Sequence, residues 1–217
     1  MLSRPYVAGT AVFGALSIVL TVASQGLGLN FPLIPYLQFD LGEVAILLAL
    51  FIFGPTSALI SSVIEFLTLL FIGQNVPVGP LLKLFAIVSS LAGVYAGVRL
   101  VSYSKNPGLG KALAMGTALG IVVRGLVMTV PNYYLIVFVF TITGITGFLV
   151  GSFALVGINL SEANTLWLVL AFTAIFNALQ LLVVSVVSYV VVRSPQVRSA
   201  KALGRAPWLF EMLNRTR

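Results

Sequence analysis

The charged and amide side chains that interrupt the long apolar runs of this chain are Glu65, Lys83, Arg124, Asn132, Asn177 and Gln180. Their chemistry is that of ion pairing and hydrogen bonding, not of bond cleavage. Glu65 lies ten residues after Pro55, and Arg124 thirteen after Lys111. That spacing brings both to similar depth, so they are candidates for an ion pair between two spans. An unpaired charge at such depth costs at least about 2.5–3.5 kcal/mol. Lys83 sits about one turn inside the outer end of its run, where it either snorkels to the interface or reaches Asp40 or a bound anion. Asn132 and Asn177, with Gln180 one turn beyond, carry amides that need partners in an apolar helix. They either tie helices together or offer donors and acceptors to a ligand. With Phe31, Tyr36, Phe39, Tyr133 and Tyr134 they describe an outward-facing pocket for a flat, hydrogen-bonding molecule.

What is missing narrows the chemistry. The chain has no His and no Cys, which removes thiol chemistry, disulfides and the usual zinc sites. No phosphate-cradling Gly/Lys loop, HExxH or Ser/His pair is present. The chain does not hydrolyse ATP by itself, and no chain of acidic groups or inverted repeat suggests an ion-driven carrier. Any energy would come from a partner.

The elements that must position these groups are membrane spans. Of 217 residues, 59% are hydrophobic and 8% charged, against about a quarter charged in soluble proteins; mean hydropathy is +1.12. The expected fold is an all-α polytopic membrane bundle of about six helices. Spans are expected at about 6–24, 41–53, 56–72, 81–101, 112–130 and 165–192. The second is too short to cross roughly 30 Å of hydrocarbon alone. Pro131-Asn132 is expected to stop the fifth, and 133–163 reads as a re-entrant hairpin or a further pair of short spans. The apolar, Pro- and Gly-containing stretch 25–40 reads as a lid over the outer mouth. No removable signal peptide is expected.

Of twelve Lys and Arg residues, ten fall at the N-terminus (Arg4), in one loop (Arg99, Lys105, Lys111) and in the C-terminal tail (Arg193 to Arg217). By the positive-inside rule both termini are cytoplasmic, in a prokaryotic plasma membrane. Asp40, Glu43 and Glu162 then lie on the outer side. Residues 1–192 are expected to form a single transmembrane substrate-binding domain and 193–217 a basic cytoplasmic tail, whose Trp208, Leu209, Phe210, Met212 and Leu213 suit an interfacial helix. The net charge of +7 answers to orientation and anionic lipid, not nucleic acid. Small residues four apart, Ala11/Ala15, Gly93/Gly97 and Ala112/Gly116/Gly120, permit close helix approach, within this bundle or to a separate membrane subunit.

These residues resemble a known family. Pro32 to Asp40, then Glu43 and Phe51-Ile52-Phe53-Gly54-Pro55, are similar to the proline-rich first loop, aspartate and Gly-Pro turn of the substrate-binding S components of energy-coupling factor (ECF) transporters. The riboflavin branch is nearest: Met128 to Tyr134 and Phe176 to Gln180 resemble its asparagine motifs, and Ala11 with Ala15 its AxxxA pattern. The resemblance implies a non-enzymatic six-helix bundle that captures a vitamin, most simply riboflavin as transported ligand and not as cofactor, at its outer face. It would then engage a membrane T subunit driven by two ATPases and topple to release its cargo. Ala11 and Ala15 would face the T subunit. The implied substrate-binding set is Pro35, Leu37, Phe39, Asp40, Gly79, Lys83, Asn132, Asn177 and Gln180.

The chain departs from that pattern. Glu65-Phe66 replaces a Lys-Asn pair, Gly79-Pro80 precedes Lys83 where Gly-Glu then Asn is expected, Gln180 replaces a Lys, and 140–162 is longer. Capture of a vitamin tolerates these changes better than riboflavin identity does, which leaves a different cofactor precursor as the neighbouring reading. A small membrane enzyme or channel would need more polar groups than Glu65, Lys83 and Arg124. A non-transporting scaffold is the remaining alternative.

Overall fold

The computed structural model describes residues 4–31, 34–140, 162–198 and 206–214, with isolated positions at 147, 150, 151, 154 and 157. The chain runs as α1 (Arg4–Gly26), a hairpin of β1 (Asn30–Phe31) and β2 (Ile34–Gln38), α2 (Gly42–Phe53), α3 (Pro55–Ile72), α4 (Val78–Ser102) and α5 (Leu109–Tyr134). A π-helical turn, Leu135–Phe140, extends α5; α6 (Glu162–Arg193), the short α7 (Pro195–Arg198) and α8 (Trp208–Asn214) follow. Among the described residues, five helices are long and apolar enough to cross a membrane, with α2 as a shorter apolar helix. The expected re-entrant or extra spans beyond Phe140 fall largely outside the described residues.

Helix α2 lies at the centre. Its 12 residues are all buried, which is what a helix apolar on every face requires. At about 18 Å it does not meet the bilayer's thickness, and it has no need to, because other elements close both its ends. Below, Gly54 at φ 99 turns the chain at once into Pro55, a backbone conformation that favours glycine. The α8 helix seals this inner end: Leu209 and Leu213 are buried in the main core, and the Trp208 ring stacks on Tyr95 with centroids 5.8 Å apart. The expected interfacial helix is therefore packed into the base of the bundle, because the short α2 leaves apolar space beneath it. Above, the antiparallel hairpin covers the other end, pairing Asn30 with Gln38 and Phe31 with Ile34. The stretch read as a lid is thus a small sheet, docked through Phe31 and Phe39 onto Phe176 at ring distances of 5.8 and 5.0 Å.

Helices α4 and α5 form the most extensive helix pair among the described elements, and their small residues explain it. A Cβ built on Gly93 would stand 2.5 Å from the Gly120 Cα, and one on Gly97 would stand 2.5 Å from the Gly116 Cα. Of the two uses open to this stripe, packing within the bundle is the one realised. Ala11 and Ala15, by contrast, are exposed on α1 beside exposed Val12, Leu16 and Val19. The fifth span does not stop at Pro131: the helix continues to Tyr134. Proline removes one backbone donor, and in membrane helices neighbouring groups and local π adjustments absorb that loss.

Gly93→Ala is expected to lower stability by about 1–3 kcal/mol, the usual cost of adding atoms to filled space. Gly125→Ala, where nothing lies within 4 Å of the added methyl, is expected to be neutral or stabilising because alanine favours helix. Thermal melts of the two variants in detergent check the contrast.

Candidate functional site

Two charge clusters, one buried and one partly buried, build the floor of the outer half. In the first, Arg124 on α5 grips Glu43 on α2 with both terminal nitrogens, Nη1 to Oε2 at 2.6 Å and Nη2 to Oε1 at 3.1 Å. Its Nε donates to Asn177 Oδ1 at 2.8 Å, and Nη1 also lies 3.2 Å from the Ser90 hydroxyl. All four residues are buried. The planar guanidinium fork suits such two-point binding of a carboxylate.

In the second cluster Lys83 on α4 lies between two carboxylates. It pairs with Asp40 Oδ2 and donates to Glu65 Oε1 at 2.8 Å. The Thr21 hydroxyl accepts from Lys83 Nζ at 2.7 Å and lies 2.8 Å from Asp40 Oδ1 and 2.7 Å from Glu65 Oε1, to one of which it donates its proton. Asp40 Oδ1 also accepts the N–H of Gly42 at 2.7 Å, at the start of α2. Gly42 is what lets α1 come this close, since a Cβ there would stand 2.1 Å from the Thr21 hydroxyl.

These partners correct the sequence reading. Glu65 and Arg124 do not pair with each other; Glu65 takes Lys83, and Arg124 takes Glu43. Glu43, expected toward the outer side, is a buried group in the first turn of the central helix. Similar depth along two spans says nothing about which way each helix faces, and rotation about the axis chose the partners.

Above the clusters opens a cavity of about 670 Å³, within the roughly 300–1,000 Å³ of small-molecule sites. The hairpin end (Leu37, Gln38, Phe39, Asp40) roofs it, the α3–α4 turn (Gly73 to Pro80) forms one wall, and α5 and α6 form the other through Met128, Asn132, Thr173, Phe176 and Asn177. Of the sequence-derived candidates, Leu37, Phe39, Asp40, Gly79, Lys83, Asn132 and Asn177 line it. Asn132 donates Nδ2 to the Met128 carbonyl of its own helix at 2.7 Å, and Asn177 donates likewise to Thr173 at 2.9 Å while holding Arg124.

The Pro35 side chain and that of Tyr36 lie outside the described residues. Gln180 does not line the cavity; it is buried behind it, bonded to the main chain of Asp40. Tyr133 and Tyr134 are exposed on the outside of α5, because at 3.6 residues per turn neither shares the face that carries Asn132. The sequence reading missed Thr21 and Ser24. Their signal was the run of hydroxyls at Thr10, Ser17, Thr21 and Ser24, all buried on one face of α1.

A roofed cavity of small-molecule size, set in a membrane bundle on two ion-paired clusters, is the architecture of a membrane-embedded solute-binding protein. Residues 6–192 match the family of the ECF transporter, substrate-specific component, and the chain belongs to that family. It is a multi-pass membrane protein of that family. Over 129 residues it is 30% identical to the riboflavin transporter RibU of Staphylococcus aureus (strain TCH60), a match covering 58% of this chain and 62% of that protein. The match thus spans less than two thirds of that relative's length. The fold is similar to a solved structure described as "Structure and mechanism of the S component of a bacterial ECF transporter", with a TM-score of 0.64 and 24% identity over 92% of this chain and 98% of the other.

Removing one partner of the buried pair, as in Arg124→Met, is expected to cost about 3–5 kcal/mol by leaving Glu43 uncompensated. The double variant Glu43→Leu/Arg124→Met is expected to recover most of that loss, as replacement of a whole buried pair by apolar groups usually does. Thermal melts of the single and double variants measure the coupling directly.

Proposed function

We propose that this S component captures riboflavin in the outer cavity and delivers it to the cytoplasm through an ECF module made of a membrane T subunit and two ATPases. The observation that carries the reading is the convergence, at one end of the bundle, of the hairpin residues Leu37 and Phe39 with the amides Asn132 and Asn177 around a single cavity. A flat heteroaromatic ring takes apolar cover from the first pair. It finds hydrogen-bond partners in the second: the Asn132 nitrogen donates to the Met128 carbonyl, and the Asn132 oxygen would accept from a ring N–H. Pro35, Asp40, Gly79 and Lys83 complete the proposed contact set, with Asp40 and Lys83 already neutralising each other. The partial identity with RibU supports riboflavin over other cofactor precursors. In this reading residues 1–192 are the substrate-binding domain, 193–217 the basic cytoplasmic tail, and exposed Ala11 and Ala15 the surface presented to the T subunit.

Titration of the purified protein with riboflavin, read by quenching of flavin fluorescence, tests the reading. Saturable quenching at submicromolar ligand is expected; its absence moves the substrate to a non-flavin compound. Asn132→Ala is expected to weaken binding by about 1–3 kcal/mol, the cost of a buried polar group left unpaired. Unchanged affinity removes Asn132 from the contact set. Ala11→Trp and Ala15→Trp are expected to leave binding intact and abolish uptake into cells, and normal uptake by both contradicts the docking surface.

A further inference from the structure

The charged roof of the cavity is held in place by a residue that does not touch the cavity. Gln180 lies on α6, 2% exposed, and its amide engages both main-chain groups of one residue. Its Oε1 accepts the Asp40 N–H at 3.2 Å and its Nε2 donates to the Asp40 carbonyl at 2.7 Å. A primary amide is suited to this task, since it presents one acceptor and one donor side by side. The bond joins residues 140 apart in sequence, so it ties the root of the hairpin to the opposite wall of the bundle. One residue further on, the Leu41 N–H donates to the Ser24 hydroxyl of α1 at 3.0 Å. The C-terminal root of the hairpin is thereby tied on two sides. The N-terminal root is built differently: its ties are main-chain bonds, from Leu27 and Gly28 back to Ala23 and Gln25 of α1 and from the Phe39 N–H to the Leu29 carbonyl, and it turns through Gly28 at φ 61, around which a Cβ would meet nothing within 4 Å.

We infer that Gln180 is a positioning residue that latches the cavity cover by the main chain of Asp40, so that the hairpin opens by swinging about Asp40 while the Asp40 carboxylate stays set between Lys83 and Thr21. The inference rests on the reading of the cavity as the ligand site only for its consequence, control of ligand exchange; the latch itself is a property of the free protein. The asymmetry of the two roots decides which end moves. Buried, two-point hydrogen bonding resists opening at Asp40, and local opening follows the least-tied segment.

The absence of cysteine allows a direct test with single reporter thiols. Ala86, buried at the cavity wall, is replaced by Cys to report opening of the cover. In a second protein Val98, 0% exposed at the inner end of α4, is replaced to report loosening of the whole bundle. Each reporter is alkylated by a charged maleimide in detergent, with and without Gln180→Leu. The latch predicts that Gln180→Leu speeds alkylation of the A86C protein about tenfold, as expected when an opening equilibrium loses two buried hydrogen bonds, while the V98C protein changes less than about twofold. An unchanged A86C rate overturns the inference. A parallel rise at both positions also overturns it, because Gln180 would then support the bundle as a whole. Flavin dissociation, followed on the same Gln180→Leu background, is expected to quicken in step with A86C alkylation. If the parent protein binds no flavin, the substrate reading fails and the alkylation result still decides the latch.

Discussion

The arginine of α5 held against the glutamate of α2 is the constraint around which the rest of this protein is arranged. Neither charge is tolerable alone at that depth in a bilayer, and the two together need further hydrogen bonds to offset their desolvation. Asn177 and Ser90 supply them, which places α4 and α6 beside the pair. Four helices are thus referred to one guanidinium. Because Glu43 stands one residue into α2, the pair also sets the depth of that helix. A helix of 12 residues anchored near the outer end leaves its inner end short, and α8 fills the space below. The inner half of the bundle is consequently filled, mainly by apolar side chains with buried hydroxyls such as Thr10, Ser57 and Ser61 among them, and the outer half holds the cavity.

The second cluster has a different task. Lys83, Asp40, Glu65 and Thr21 join α4, the hairpin root, α3 and α1, so that the wall and roof of the cavity share one set of hydrogen bonds. Three carboxylates face two cations across the two clusters, and each cation is already satisfied by protein groups. Both cations are thus already held, one carboxylate remains in excess of them, and shape, aromatic cover and the amides are left to select a ligand. That division suits a subunit which binds and hands over its cargo without chemical change.

Much of this organisation was legible in the sequence. Apolar length gives the spans, since it is a one-dimensional property. Asn132, Asn177 and Lys83 stood out because polar groups are scarce in such segments. Pairing was not legible: Glu65 with Lys83 and Arg124 with Glu43 depend on how each helix is rotated, which a nearly uniform apolar sequence does not encode. Glu43 was legible as lying toward the outer end of the second span, but not as the partner of Arg124, because its burial depends on the elements packed around α2. Tyr133 and Tyr134 were misread for the related reason that neighbours of Asn132 in sequence need not share its face. Gln180 was legible as polar and buried, but its partner is a backbone 140 residues away, and backbone leaves no mark in a sequence pattern.

The central claim is that the outer cavity, roofed by the hairpin and floored by the two charge clusters, is where the transported molecule sits. An experimental structure of the protein saturated with riboflavin tests it most directly. The account predicts the flavin ring inside the cavity, covered by Leu37 and Phe39 and within hydrogen-bond distance of the Asn132 amide, with Arg124 still on Glu43. A flavin bound elsewhere on the bundle, or a ring that reaches the cavity only by separating Arg124 from Glu43, would contradict it.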